Sequence, residues 1–160
     1  MQAWEDVVVK WYLPESMAMY EIEVACYLRA ASMQGSSIAV LLDHGMALHL
    51  PGERWPRVGL MVRWAGNSYD VLPPTALVLA RQILEELHGL GVVHGDVKTH
   101  NMGYDPSTGR VFLFDFSEGR TLPMFKDEAT FREACKEDLE TVDWDIEWAT
   151  AHPQRWQCYI

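Results

Sequence analysis

The sequence predicts an α+β fold that begins with a small antiparallel sheet and one helix and continues as a mainly helical part. Two observations support this prediction. Short runs of β-branched and aromatic residues surround a single helical pattern before residue 66, and two longer helical patterns follow it. A chain of 160 residues is long enough for one compact domain. We therefore expect a single domain over residues 1–160.

The composition argues against several functional classes. A formal net charge of -10 disfavours binding to nucleic acid or to an anionic membrane. Cys26, Cys135 and Cys158 lack the paired spacing of a zinc site or a disulfide framework, which favours reduced thiols. The first residues resemble neither a secretory signal nor a transit peptide, and no apolar run is long enough to cross a bilayer. We expect a cytoplasmic protein with no nucleic-acid or membrane partner.

In the first part of the chain, strand patterns flank one helical pattern. Residues 5–12, EDVVVKWY, predict a strand, and residues 14–31 predict a helix that opens at a proline. Its inward face would carry Tyr20, Glu23, Val24, Tyr27 and Leu28. Residues 38–50 predict two strands joined by a turn at residues 43–45, and residues 58–64 predict a further strand.

The second part contains the longer helical patterns. Residues 73–89 predict an apolar helix that ends in a left-handed cap at Gly89. Its core stripe would be Leu77, Ala80, Leu84 and Leu87. Short strands are predicted at residues 92–93 and 111–114, and a final acidic helix over residues 127–150. The apolar stripe of that helix would be Phe131, Cys135, Leu139, Val142, Ile146 and Ala149, with its acidic face in solvent.

The segments HGDVKTHN and FLFDFS contain the most informative chemistry. They place Asp96, Lys98 and Asn101 on one loop and Asp115 at the end of an apolar run. Phosphoryl transfer requires cations, a metal ion and a hydroxyl-orienting carboxylate around one phosphate. Asp96 would orient the hydroxyl, and Lys98 would balance charge on the transferred group. Asn101 and Asp115 would offer the hard oxygen ligands that Mg²⁺ prefers.

Two residues earlier in the chain complete the candidate site. Lys10, at the end of VVVK, would contact nucleotide phosphates, and Glu23 on the following helix would hold its ammonium group. Glu21 is a rival for this role, although Glu23 is in register with Tyr20 and Tyr27 and would face inward. The structural alternative is a partly exposed ion pair that contributes less than about 1 kcal/mol to stability.

Together these segments resemble the protein-kinase-like fold of protein kinases and related small-molecule kinases. HGDVKTHN matches the catalytic-loop pattern H-x-D-x-K-x-x-N, FLFDFS matches the strand and DFG segment, and VVVK matches the lysine strand VAIK. The resemblance implies ATP and Mg²⁺ as cofactors. It implies catalytic Asp96 and Lys98, cofactor-binding Lys10, Glu23, Asn101 and Asp115, and Asn101 and Asp115 as metal ligands. It also implies a truncated kinase-like fold, with a reduced N-lobe over about 1–66 and a reduced C-lobe over about 67–160.

Departures from the family pattern shape the functional prediction. Nine residues precede Lys10, and no Gly-rich G-x-G-x-x-G loop occurs in the sequence. Gly95 stands where regulated protein kinases have arginine, and Ser117 stands in place of the DFG glycine. Little chain follows Ser117 to build a peptide-binding platform. We expect a minimal, atypical kinase that transfers phosphate from ATP to a hydroxyl, preferably on a small molecule.

Two alternative functions stay open. The chain would be a pseudoenzyme that acts as a binding or regulatory module, or a kinase fold repurposed for ATP-independent acid and base chemistry on a small molecule. Trp4, Trp11 and Trp64 surround the predicted sheet and would form an exposed apolar surface for a protein partner or a second copy. His94 is interpreted as a structural anchor of the loop, since the neighbouring aspartate would be the base.

Overall fold

A computed structural model describes residues 7–63 and 70–155 of the chain. These residues form an α+β structure with small antiparallel sheets and three α-helices, which confirms the α+β part of the predicted fold class. Buried apolar side chains from both parts of the chain belong to one core cluster, which extends from Tyr12 to Ala149. The sheet and the helices therefore share a core.

The first sheet has three strands in the order β1, β3, β2. Strand β1 spans Val7–Tyr12, β2 spans Leu41–Leu48 and β3 spans Arg57–Arg63, and neighbouring strands are antiparallel. Lys10 on β1 is opposite Leu60 on β3, which is fully buried. Strand β1 is at an edge of the sheet, so its outer backbone groups pair with no other strand in the described part of the chain.

The segment 38–50 is not the predicted pair of strands with a turn. It contains the single strand β2, and Gly45 lies inside this strand with φ +81°. The pairing of β2 with β3 shifts register twice between residues 41 and 46. A glycine at positive φ suits both a turn and a β-bulge, so the sequence pattern alone does not separate them. The predicted turn at residues 43–45 was wrong.

Helix α1 spans Met17–Arg29 and follows a single 3₁₀ turn. Its buried residues are Tyr20, Glu23, Val24, Cys26 and Tyr27, which confirms most of the predicted inward face. Leu28 is exposed, contrary to the prediction. Successive helical residues are about 100° apart, so Leu28 is turned away from the stripe that Tyr27 occupies.

Helix α2 spans Pro74–Gly89, and its predicted stripe is buried throughout. The predicted cap is displaced, since Gly89 is the last helical residue and Leu90 keeps a right-handed conformation. The left-handed position is Gly91, with φ +74°. The amide of Leu90 still donates to the carbonyl of Glu86, so the helical hydrogen-bond pattern extends past the first glycine.

Four short strands position the loop that carries Asp96. Strand β4 spans Val92–Val93 and pairs with β7, Arg120–Thr121. Strand β5 spans Met102–Asp105 and forms a hairpin with β6, Arg110–Leu113. Strand β5 was not predicted from the sequence. The loop of Asp96 therefore joins two strands that belong to different two-stranded sheets.

Helix α3 spans Glu128–Ala151 and packs against α2. Asp127 caps it by accepting a hydrogen bond from the amide of Thr130 at 2.8 Å. Val142 and Ala149 are buried as predicted, while the other members of the predicted stripe are half-buried: Phe131, Cys135, Leu139 and Ile146. The buried positions also include Ala134 and one acidic residue, Asp138. The prediction that the acidic residues of this helix face solvent was therefore wrong at Asp138.

Two further expectations bear on the described residues. Cys26 and Cys135 are free cysteines, and Cys158 lies outside the described residues. Within residues 7–63 and 70–155, no helix combines the length and apolar character needed to cross a membrane.

Candidate functional site

The loop between β4 and β5 holds three of the candidate residues together. The Nδ2 group of Asn101 donates to the carbonyl oxygen and to Oδ2 of Asp96, both at 2.9 Å. The ammonium Nζ of Lys98 is 2.5 Å from the same Oδ2. The hydrogen bond to Asp96 raises the pKa of Lys98. We call Asp96, Lys98 and Asn101 the loop half of the site; its Asp96 carboxylate is oriented by both neighbours.

This loop is anchored by Asp138 of α3, a role that was not predicted from the sequence. Its Oδ2 accepts from the amide of His94 at 2.8 Å, and its Oδ1 accepts from the amide of Gly95 at 3.0 Å. Nε2 of His88 lies 3.0 Å from the same carboxylate. Asp138 is only 4% exposed, so these donors compensate for burial of its charge. In the sequence, the burial of Asp138 is indicated only by its position one helical turn after Ala134. The rest of the helix has an acidic face of the kind that is normally solvated.

His94 supports the loop rather than presenting a base to solvent. Its ring is buried, and Nε2 is 3.1 Å from the carbonyl oxygen of Phe114. The ring also contacts Phe116 at a centroid distance of 4.9 Å. Burial lowers the pKa of His94, which favours the neutral imidazole. These contacts match the predicted role of a structural anchor.

Gly95, the residue before Asp96, is constrained by its backbone. Its φ is +79°, and a Cβ atom there would lie 2.1 Å from the carbonyl oxygen of Glu118. Any L-residue would therefore clash with the segment that follows Asp115. The glycine allows the loop and this segment to approach closely.

Lys10, Glu23 and Asp115 form the second group, which we call the lysine half of the site. Nζ of Lys10 is 2.9 Å from Oε2 of Glu23 and 2.6 Å from Oδ1 of Asp115. The hydroxyl of Tyr12 donates to the same Glu23 oxygen. Glu23 is 2% exposed, whereas Glu21 is exposed to solvent. The predicted contact of Lys10 with Glu23 is therefore present, and the rival contact with Glu21 is not.

The charges of the lysine half stabilise one another. Burial acts to lower the pKa of Lys10, but the attraction and hydrogen bonds of Glu23 and Asp115 outweigh it, and the pKa is raised. Burial acts to raise the pKa of Asp115, but hydrogen bonds from Lys10 and Ser117 outweigh it, and the pKa is lowered. Lys10 and Asp115 are therefore both charged at neutral pH.

Asp115 also has an unusual backbone conformation. Its φ is +63°, the only positive value for a non-glycine residue in the described ranges. Ser117 Oγ donates to its Oδ1 at 2.7 Å. The next residue, Phe116, is fully buried, and its ring contacts Tyr27 at a centroid distance of 5.0 Å. Packing around Phe116 holds a conformation that costs energy, a feature that concentrates at functional sites.

A cavity of about 230 Å³ lies between the sheet and Asp115. Most of its lining is apolar, including Val8, Ala39 and Leu60. Lys10, Glu23 and Asp115 also line it. An apolar cavity with a few convergent charged groups is typical of a small-molecule site.

The oxygen atoms of Asn101 and Asp115 suit Mg²⁺. Asn101 donates twice to Asp96 through Nδ2, and its Oδ1 accepts no hydrogen bond from any described residue. Lys10 and Ser117 both donate to Oδ1 of Asp115, which leaves Oδ2 without a described donor. The amide of Phe114 donates to the carbonyl of Asn101 at 3.1 Å, which joins the two segments. Mg²⁺ typically takes one or two protein oxygens and completes its shell with phosphate and water.

Clusters of three or more His, Cys, Asp or Glu residues able to hold a metal do not occur among the residues that the structure describes. The candidate ligands are the carboxylate of Asp115 and the amide of Asn101. These two groups are too few, and of the wrong type, to form such a cluster. The donor chemistry therefore fits a magnesium ion that is shared with a phosphate ligand, and does not fit a structural metal held by protein alone.

Comparison with known proteins finds distant similarity to a fungal protein. No protein-family model matches the chain. The meiotic driver SPOK2 of Podospora anserina is 28% identical over 130 residues, which covers 78% of this chain. The same alignment covers 16% of SPOK2, so the chain spans a small part of that relative's length.

Proposed function

We propose that this chain is a minimal kinase-like phosphotransferase that uses ATP and Mg²⁺ and phosphorylates a hydroxyl group, preferably on a small molecule. One observation supports the proposal most. Lys10 contacts Asp115 across 105 residues of sequence, beside a cavity, while Asp96 and Asn101 are hydrogen-bonded on the adjoining loop. A surface ion pair would require neither the cavity nor the free oxygens of Asn101 and Asp115.

Each residue has a role in this reaction. Lys10 would bind phosphate oxygens of the nucleotide while Glu23 holds its ammonium in place. Asn101 and Asp115 would hold Mg²⁺, which when bound neutralises charge on the phosphate oxygens. Asp96 orients the acceptor hydroxyl and accepts its proton. The acceptor oxygen forms a bond to the γ-phosphorus as the bond between that phosphorus and the β,γ-bridging oxygen breaks, which releases ADP.

Lys98 would change partners during this reaction. It contacts Asp96 in the structure, yet its side chain is 53% exposed. A lysine with this freedom is able to leave the carboxylate when an acceptor hydroxyl takes its place, and to move toward the transferred phosphate. The net effect would be to free Asp96 as a base and to add positive charge where negative charge accumulates.

The first test is nucleotide binding. A thermal shift with millimolar ATP and Mg²⁺ is expected for the parent chain and is expected to disappear in Asp115→Ala. Glu23→Gln should weaken the shift because it releases Lys10, while the matched control Glu21→Gln changes an exposed carboxylate on the same helix and should leave it intact. A parent chain with no shift would contradict the proposal.

The second test is turnover. ADP release with a panel of hydroxyl compounds should fall by about 10²- to 10⁴-fold in Asp96→Asn, with nucleotide binding retained. Equal turnover in parent and variant would remove Asp96 as the base. Activity that persists without nucleotide would indicate the alternative of ATP-independent acid and base chemistry.

A binding or regulatory module is the second candidate, favoured by the surface of β1. Val7, Val9 and Trp11 are exposed on this strand, whose outer edge is unpaired within the described ranges. Trp4 and Trp64, predicted to join the same surface, lie outside the described residues. A partner strand or a second copy would pair with this edge. Concentration-dependent dimerisation that Val9→Lys abolishes, with no nucleotide shift, would support this candidate.

A further inference from the structure

A second cavity, of about 340 Å³, adjoins the loop half of the site. The start of α2 and the C-terminal half of α3 contribute to its lining, together with Thr99 from the loop that carries Asp96. Its polar and aromatic lining consists of Asp70, Thr99, Trp144, Asp145 and Trp148. We call it the acidic-aromatic cavity. None of the functions assigned above to the loop half or the lysine half uses it.

Asp70 connects this cavity to the candidate catalytic loop. Thr99 Oγ1 donates to the carbonyl oxygen of Asp70 at 3.0 Å. His100 Nε2 is 3.1 Å from Oδ1 of Asp70. Thr99 and His100 lie between Lys98 and Asn101 in the sequence. A ligand in the cavity would therefore lie against the same loop that orients Asp96.

Asp145 is the most informative residue of the lining. Its carboxylate is partly buried and has no hydrogen bond or ion pair with another described residue. Burial raises the pKa of Asp145, because desolvation disfavours its charge. Among the described residues that line the cavity there is no lysine or arginine. A cationic ligand would supply the counter-charge that the described residues do not provide.

The two tryptophans define what kind of cation would bind. Trp144 is 63% exposed, which is a large apolar surface to leave in water. Trp148 is positioned by His152, whose ring stacks on it at a centroid distance of 4.6 Å. The faces of indole rings attract organic cations, and quaternary ammonium groups are the best-known ligands of such aromatic sites. Leu72 and Leu77 add apolar surface for the body of the ligand.

We propose that the acidic-aromatic cavity binds the ammonium group of a small organic cation, and that this cation carries the acceptor hydroxyl. The role of this cation as acceptor rests on the phosphotransferase function proposed above, whereas its binding in the cavity does not. A net charge of -10 would favour the encounter with a cation. The cavity thus narrows the acceptor class from small hydroxyl compounds to amino alcohols and related cations.

Binding is tested without nucleotide, by calorimetry and by tryptophan fluorescence. The probe is choline, and the matched neutral probe is 3,3-dimethylbutan-1-ol, which has carbon in place of the charged nitrogen. Choline should bind at least about tenfold more tightly than the neutral probe. Equal affinities would overturn the proposal. 2-Guanidinoethanol carries a guanidinium in place of the ammonium, and tighter binding of that probe than of choline would overturn the assignment to an ammonium group.

Two variants test whether choline binds in the acidic-aromatic cavity. Asp145→Asn should weaken choline binding about tenfold, while Glu147→Gln removes an exposed carboxylate from the same helix and should change it less than twofold. Equal effects of both variants would overturn the location, and circular dichroism checks that each is folded. Choline binding without turnover supports the cation site and contradicts its role as acceptor. Nucleotide-dependent turnover that is indifferent to ligand charge supports the phosphotransferase and overturns the cation site.

Discussion

The two halves of the candidate site are held together by different means. In the loop half, Asp96 and Asn101 are five residues apart and hydrogen-bond directly. In the lysine half, Lys10 reaches Glu23 across 13 residues and Asp115 across 105 residues. The first arrangement follows from a short loop, whereas the second exists only when the sheet, α1 and the segment after β6 are packed together.

The Lys10–Glu23 pair of the lysine half is also more deeply buried than the Lys98–Asp96 pair of the loop half. The lysine half contains Glu23, at 2% exposed, and Lys10, whose side chain is 33% exposed. The loop half contains Lys98, at 53% exposed, paired with a partly exposed carboxylate. Exposed ion pairs contribute little to stability, and buried charges are costly once a partner is removed. The lysine half should therefore be coupled to folding, and the loop half should depend on its anchor.

The largest effect is expected from removing that anchor. Asp138→Ala leaves the buried amide of His94 and the amide of Gly95 without their acceptor, and should lower the free energy of unfolding by about 3–5 kcal/mol. Urea unfolding followed by circular dichroism measures this loss. Asp143→Ala on the same helix breaks a more exposed ion pair with Arg81 and should cost less than about 1 kcal/mol. Similar losses in both variants would show that the loop half needs no anchor.

An intermediate effect is expected from the two lysines. Lys10→Met leaves the buried Glu23 without its cation and should lower the free energy of unfolding by about 1–2 kcal/mol, a value reduced because Lys10 is one-third exposed. Lys98→Met is the matched control and should change stability by less than about 0.5 kcal/mol. Both variants are compared by urea unfolding at neutral pH. Equal losses would remove the proposed distinction between the halves.

A smaller effect is expected on the pH dependence of stability. It should distinguish His94, which supports the loop half, from Asp115 in the lysine half. His94 is buried with a pKa below 6.5, so its stabilising contribution is complete above pH 6.5 and is lost as pH falls toward the folded value. The corresponding loss for Asp115 begins only below its ordinary pKa of 3.8. Between pH 7.5 and 5.5 the parent should lose up to about 1.4 kcal/mol per pH unit below 6.5.

Two variants test which residue causes this dependence of stability on pH. His94→Asn should flatten the dependence of unfolding free energy on pH over this range, whatever its own stability, because the titrating group is gone. Asp115→Asn should keep the parent slope there and differ only in more acidic solution. A slope that is unchanged in His94→Asn would mean that another group titrates.

Several contacts of the site were predictable from local pattern. The spacing of Asp96 and Asn101 on one loop predicted their proximity, and helical register predicted that Glu23, and not Glu21, faces inward. Asp138 was not predictable in this way. A carboxylate on an acidic helix is normally solvated, and only the meeting of α3 with the loop supplies the amide donors that permit its burial.

The sequence by itself determined the α+β class, most helix and strand positions and the loop chemistry, because these depend on periodicity and on residues close together in the chain. Tertiary structure decided that Gly45 lies in a bulged strand, that Lys10 meets Asp115, and that Asp145 faces a cavity with two indole rings. These features join segments that are distant in sequence or depend on packing between elements. Their energies come from burial and paired charges, which local patterns do not encode.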